Sequence, residues 1–242
     1  MHLSIVIPTY KEHDNLKELI PKIDSLLTSR HVLYNILIVD DASDDGSEEL
    51  ISSLSKIMPV AINVRRGVRG LSSAVFDGIV ATEGDVICFM DADLSHPPEA
   101  LSGMFDLILH NTADLVVGSR LVKGGGMGQW PWYRRFTSWG ARMLARPLTS
   151  IKDVTSGFFM FKRSAFPQGT LNLEGFKLGL EILVKGNYKR AHEYPIVFHD
   201  RVHGQSKLSG KVMTEYLKQL AQLYRYKLFK STPDKPSNRV LQ

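Results

Sequence analysis

Cysteine occurs once in the 242 residues, as Cys88, so no disulfide can form within the chain, and this usage fits a reducing compartment. No window holds 18 uninterrupted apolar residues, which leaves nothing in the sequence to span a bilayer. The opening MHLSIVIPTYKE has no basic leader and no small-residue cleavage site; it reads as a strand ended by Pro8, not as a signal peptide. Two phosphate-binding fingerprints are missing, since neither GxxxxGKS/GxxxxGKT nor GxGxxG occurs. The eight histidines are scattered without metal-ligand spacing, and no internal repeat is present. The 43% hydrophobic and 23% charged residues are ordinary for a globular domain. The length supports a substantial core.

Acidic residues are scarce in two places. Between positions 130 and 146 there are four arginines and no acid, and from 201 to 242 nine Lys/Arg face two Asp/Glu. Such excess is either a solvated surface or a face turned to phosphates or an anionic membrane.

The first half alternates apolar runs with helical spacing. Strands are expected at 3–8, 34–40, 60–64, 85–91 and 113–119, with helices at 15–27, 47–57, 70–82 and 97–111 between them. Near-continuous apolar strands joined by helices indicate an α/β, doubly wound, mostly parallel sheet with helices on both faces. Beyond residue 120 come a glycine-rich loop expected to be mobile (121–129) and an amphipathic helix with aromatics and arginines (130–148). A strand (153–163), a helix (175–186), another strand (190–201) and a last amphipathic helix (211–229) follow. One domain over 1–230 and a disordered tail over 231–242 are expected.

In such sheets ligands bind beyond the carboxyl ends of the strands. PTYKE, DDASDDGS, DADLSHPP and GSR all fall there. In DDASDDGS, Asp45 or Ser47 is explained as a helix cap and Gly46 as a turn; Asp40 and Asp41 are better explained as acceptors for a base or ribose. Alternation along a strand would aim Asp91 and Asp93 to one side. Two carboxylates so close repel unless a cation lies between them, and oxygen ligands with open positions suit Mg²⁺ or Mn²⁺ bridging a diphosphate. DRVHGQSKL is either a basic surface turn or an arm that closes positive charge over phosphates. Cys88, mid-strand, reads as core packing.

Taken in order, PTYKE, VDDASDDGS, RGLSSA, DADLSHPPE, GSR, TSGF, GFKLGLEI and RVHGQSKL resemble the polyprenol (dolichol) phosphate mannose synthases of glycosyltransferase family 2, over residues 3 to about 230. The resemblance implies a GT-A fold and an inverting transfer of mannose from GDP-mannose to a polyprenyl phosphate. It implies that Pro8, Tyr10, Glu12, Val39 and Asp41 hold the donor nucleoside. Asp91, Ala92 and Asp93 would hold metal and diphosphate, and Arg201 and Lys207 would close on the donor. Arg120, Arg134 and Ser138 would meet the lipid phosphate, with Asp93 and Arg120 central to catalysis. Where the family pattern reads DADLQ this chain has Ser95, so the third metal ligand is either that shorter side chain or a water. The nucleophile would be a phosphate monoester, mostly dianionic at neutral pH, so no general base is required. The implied setting is the cytoplasmic face of a membrane, held peripherally by the aromatic, basic helix or by a membrane-anchoring subunit, with no nucleic acid involved. Two rival readings are transfer from a UDP-sugar such as UDP-glucose, and a non-catalytic subunit that binds a sugar nucleotide.

Overall fold

A computed structural model describes residues 1–128, 132–167, 171, 173, 178–198 and 210–230. In chain order these form β1 (His2–Thr9), α1 (His13–Ser29), β2 (Leu33–Asp40), α2 (Ser47–Leu54), β3 (Val60–Val64), α3 (Leu71–Ala81), β4 (Val86–Phe89), α4 (Ala100–Leu109) and β5 (Leu115–Ser119). Then come α5 (Trp132–Ala145), β6 (Phe159–Lys162), α6 (Leu178–Lys185), β7 (Ala191–Pro195) and α7 (Gly210–Lys230). The strands make one seven-stranded sheet in the order β3-β2-β1-β4-β6-β5-β7. All neighbours are parallel except β6, which runs antiparallel between β4 and β5.

The apolar runs divide by alternation. Leu3, Ile5, Ile7, Ile36, Ile38, Val86 and Cys88 pack with α1 and α4 on one face. Val6, Leu37, Val39, Ile87 and Phe89 pack with α3, α6 and α7 on the other. Burial on both faces is why the strands read as continuous hydrophobics; each fully buried aliphatic contributes roughly 1.5–3 kcal/mol. Gly78 of α3 sits directly on the sheet, since a Cβ there would come within 2.3 Å of Val6 Cγ1. Cys88 is fully buried and burial pushes its thiol far up, so it packs and does not react, as expected.

Three segments differ from the sequence pattern. β4 stops at Phe89, four residues into an apolar run that continues through Met90, and the chain bends at residues 92–94. α4 begins at Ala100; Pro97 and Pro98 precede its first turn. The glycine-rich loop carries one backbone bridge. Gly126 bridges Val197, its N–H donating to Ile196 O at 3.0 Å and its carbonyl accepting from Phe198 N at 2.9 Å.

From β1 the chain winds outward through β2 and β3, then returns to place β4 on the other side of β1. The strand order reverses there, and in such sheets the ligand crevice lies beyond the carboxyl ends of the strands at that point, here β1 and β4.

Candidate active site

Among the described residues, four of the six non-glycine positions with left-handed backbone lie in loops leaving β1, β2 and β4: Lys11, Ala42, Asp44 and Leu94. Such conformations cost about 1 kcal/mol or more each and persist where surrounding structure fixes them. Here they mark the crevice.

On the β1–β2 side, Asp40 is part of the scaffold. It accepts from Thr9 Oγ1 at 2.8 Å, Ser43 N at 2.8 Å and Ser43 Oγ at 2.5 Å. Asp41 Oδ1 accepts from Arg65 Nε at 2.8 Å and a terminal guanidinium nitrogen at 2.5 Å, while Oδ2 accepts from Gly70 N at 2.8 Å. Arg65 also bonds Asp77 at 2.8 Å; burial alone would lower its pKa, but Asp77 and Asp41 outweigh it and raise it. Asp41 thus reaches the crevice already paired. Val39, expected to touch the nucleoside, has a fully buried side chain packed toward α3. Alternation turned it to the helix face, so only its backbone borders the crevice. Pro8 is likewise buried in β1. Tyr10 is 42% exposed with the Arg69 guanidinium 4.5 Å from its ring centroid, a flat surface of the kind on which a base stacks. Glu12 accepts from Asn15 Nδ2 at 2.5 Å at the start of α1.

Beyond the end of β4, Asp91 precedes a bend and Asp93 lies in it, neither on a strand, so alternation is not what sets their directions. Asp93 is buried; its Oδ1 accepts from Ser95 N at 3.1 Å and Ser95 Oγ at 2.5 Å. Ser95, itself fully buried, therefore orients Asp93 by donating to it. The Asp91 carboxylate is 34% exposed. Its backbone N–H donates to His96 Nδ1 at 3.1 Å, which fixes that nitrogen as an acceptor. His96 is buried, 5.3 Å from the Phe158 ring and 5.7 Å from the Phe198 ring. Ala92 is buried between the two carboxylates.

Among the described residues no three His, Cys, Asp or Glu side chains converge as a metal cage. Two carboxylates at a bend still fit Mg²⁺ or Mn²⁺, which are held by one or two carboxylates with waters and substrate phosphates. The space for this comes from Gly157 of TSGF, where a Cβ would lie 3.1 and 3.3 Å from the two Asp91 oxygens and 3.1 Å from His96 Cε1. Gly157→Ala should therefore lower turnover about tenfold or more by crowding Asp91, while the melting temperature moves by no more than a few degrees. Unchanged turnover in steady-state assays would contradict this role for the glycine.

At the end of β5, Arg120 is 8% exposed and Asp153 fully buried. Asp153 Oδ2 accepts from Arg120 N at 3.0 Å and Nε at 2.8 Å, and Oδ1 from a terminal nitrogen at 2.6 Å. That terminal nitrogen also donates to Thr155 Oγ1 at 2.9 Å. Burial alone would raise Asp153, but its bonds to Arg120 outweigh this and hold it below the ordinary carboxylate range. Glu193 of β7 braces the pair, accepting from Ser119 Oγ at 2.7 Å and from the backbone N–H groups of Lys152 and Asp153 at 2.9 and 3.1 Å. The Phe198 ring centroid is 5.4 Å from Arg120 Cζ, so one phenyl ring touches both His96 and Arg120.

α5 shows two faces. Trp132, Phe136, Trp139 and Met143 are 78, 65, 51 and 52% exposed, while Ser138 and Arg142 are half-buried. α7 clamps the other end of this helix: Tyr216 and Tyr224 hydroxyls donate to the carbonyls of Ala141 and Leu144 at 2.7 and 2.6 Å, and Lys227 Nζ to that of Pro147 at 2.8 Å. Arg134 lies on α5, in the segment whose side chains are outside the described set, and Arg201, Lys207 and the tail 231–242 lie outside the described residues.

Sequence reading missed Arg65, Asp153 and Arg142. The carboxyl-end rule covers Arg65, which follows β3; Asp153 and Arg142 become legible only once the fold brings them near Arg120.

Comparison with known proteins bears on the whole chain. The model of the family described as Glycosyl transferase family 2 matches residues 4–169. A dolichol-phosphate mannosyltransferase of Pyrococcus furiosus is 42% identical over 230 residues, covering 93% of this chain and 64% of its own length. One of Mycosarcoma maydis is 44% identical over 234 residues, covering 93% of this chain and 79% of its own. The chain thus spans just under two thirds of the archaeal relative. Among solved structures, mannosyl-3-phosphoglycerate synthase from Rubrobacter xylanophilus superposes with a TM-score of 0.66 at 18% identity, over 98% of this chain and 78% of the other. A mannosyltransferase from Pyrobaculum calidifontis in complex with GDP-Man and Mn²⁺ gives 0.63 at 17% identity, over 97% and 66%. At those identities the likeness establishes the GT-A fold and nothing finer.

Proposed function

The chain belongs to glycosyl transferase family 2, and from that membership we propose that it transfers mannose from GDP-mannose to the phosphate of a polyprenyl lipid such as dolichol phosphate, inverting the anomeric carbon. The observation that carries the reading is the Phe198 contact. It links the carboxylate side of the crevice, through His96 and Asp91, to the arginine side, through Arg120. A donor diphosphate held through a cation and an acceptor phosphate held by arginines need such adjacent halves.

On the donor side, Asp41, Tyr10 and the backbone at Pro8 and Val39 receive the nucleoside, with Glu12 at the rim. Asp91 and Asp93 would hold the Mg²⁺ or Mn²⁺ that the donor diphosphate needs. The bound cation supplies charge offset for the leaving GDP. Ser95 acts by orienting Asp93, so it would not itself be a ligand of the cation. On the acceptor side, Arg120, Arg134 and Ser138 position the lipid phosphate. One phosphate oxygen forms a bond to C1 of mannose while the bond from C1 to the diphosphate oxygen breaks on the opposite face. Because the phosphate is already largely dianionic near neutral pH, its charge needs only positioning, which the positive charge of the guanidinium groups supplies.

A panel of GDP-mannose, UDP-glucose and UDP-mannose, each offered with one polyprenyl phosphate and Mn²⁺, tests the donor assignment. GDP-mannose should exceed the others in kcat/KM by at least 100-fold. Preference for a UDP-sugar would replace the donor, and no transfer from any would leave a binding protein.

The lipid acceptor requires contact with a membrane. No described helix is long and apolar enough to cross one, whereas α5 exposes an aromatic stripe beside arginines, the composition of an interfacial helix. The pair Phe136→Ser with Trp139→Ser should weaken sedimentation with phosphatidylcholine/phosphatidylglycerol vesicles about tenfold or more. The variant's circular dichroism spectrum and melting temperature should match those of wild type. Equal vesicle binding by wild type and variant would place the membrane contact elsewhere.

A further inference from the structure

The cation balance around α5 points to an acceptor ligand that the sequence does not single out. Arg120 is compensated, since Asp153 receives both its Nε and a terminal nitrogen. Arg142, one turn beyond Ser138 on α5, is half-buried yet has no carboxylate within ion-pair distance among the described residues. Its recorded bond runs from Nε to the Ser138 carbonyl at 3.1 Å. That bond leaves the terminal guanidinium nitrogens, where an oxyanion is held bidentately, outside the helix's own hydrogen bonding. Neighbouring Ala145 is fully buried while Trp139 and Met143 are half-exposed. Ser138 and Arg142 therefore lie on the seam between the protein and the open apolar stripe.

Removing a cation from water without a partner is costly, so half-buried guanidinium groups normally meet an anion. Burial indeed pushes Arg142 below its ordinary value; the Asp153 carboxylate raises it again, and the Arg120 cation lowers it. Arg142 thus shares the local field of the Arg120–Asp153 pair. The anion that fits must bring a phosphate-like head to the seam and an apolar chain to the stripe.

We propose that Arg142 is a ligand of a prenyl phosphate monoester, supplying the uncompensated positive charge that Arg120 does not. The assignment rests on the acceptor reading above and narrows it to a residue. A membrane headgroup has the same phosphate chemistry, and the two sources separate experimentally.

Binding of farnesyl phosphate and of farnesol is measured on wild type, Arg142→Gln and Arg142→Lys by tryptophan quenching, with circular dichroism to verify the fold. Wild type should bind the phosphate and discriminate strongly against the alcohol. Arg142→Gln should lose about 10- to 100-fold in phosphate affinity, as expected for one charge-assisted contact, with unchanged farnesol binding; Arg142→Lys should recover part. In turnover, Arg142→Gln should raise KM for the acceptor and leave that for GDP-mannose within twofold. Equal farnesyl phosphate binding by wild type and Arg142→Gln, or no binding by wild type, overturns the proposal. So does a defect confined to anionic vesicles, which assigns Arg142 to headgroups. Should the phosphate bind through Arg142 while no sugar is transferred, the ligand assignment stands and the mannosyl transfer reading fails.

Discussion

Asp93→Asn is expected to reduce mannosyl transfer by about 10³-fold, roughly 4 kcal/mol of transition-state stabilisation, with the fold intact. The substitution is nearly isosteric. Its carboxamide oxygen still accepts from Ser95 N and Ser95 Oγ, the bonds that seat Asp93 now. What changes is the other atom, where an NH₂ group replaces an anionic oxygen and cannot ligate a cation. Turnover at saturating GDP-mannose and Mn²⁺, read beside the melting temperature, isolates that change. A variant that keeps near-wild-type turnover would remove Asp93 from the metal site.

The second large effect is on stability. Asp153→Ala would leave Arg120 buried without its counter-charge, and breaking such a pair costs about 3–5 kcal/mol. For a chain of this size that lowers Tm by roughly 6–20 °C. Asp153 titrates below the ordinary carboxylate range in the folded protein. The pair therefore stabilises fully above the unfolded value of about 3.9 and loses its contribution as pH falls through the folded one. The gap between wild type and variant should be complete at pH 7 and close in acid. Joint replacement, Arg120→Met with Asp153→Leu, should recover most of the stability and none of the turnover, because the packing is restored without the cation. A loss below about 1 kcal/mol for Asp153→Ala, measured by denaturant unfolding, would show that the pair is not a buried one.

The architecture was legible because one signal, unbroken apolar strands separated by helical spacing, is produced by a sheet covered on both faces. Leu3, Ile5 and Ile7 against Val6 show that division residue by residue. The antiparallel insertion of β6 was not legible, since FMFK reads the same in either direction. The site was legible where a residue type has a chemistry of its own, as at Asp91 and Asp93. The strand argument for their shared direction does not hold, however, because β4 ends at Phe89, the chain bends at 92–94 and Leu94 takes a left-handed backbone. Val39 could not be placed from sequence, because one step in register decides between crevice and core. Arg120 read as a free phosphate clamp until Asp153, 33 residues away in sequence, was seen to occupy its fork. Partners that meet only through tertiary structure leave no local pattern.

The central claim is transfer of a sugar to a lipid phosphate, and the most direct measurement counts products of both kinds. The purified chain is incubated with GDP-mannose, dolichyl phosphate and Mn²⁺, and released GDP is compared with lipid mass in the organic phase. One dolichyl phosphate should gain one mannosyl residue for each GDP released, and chelation of the metal should stop both. GDP released with free mannose and an unmodified lipid, or a mannosylated lipid formed at full rate in excess EDTA, would contradict the account.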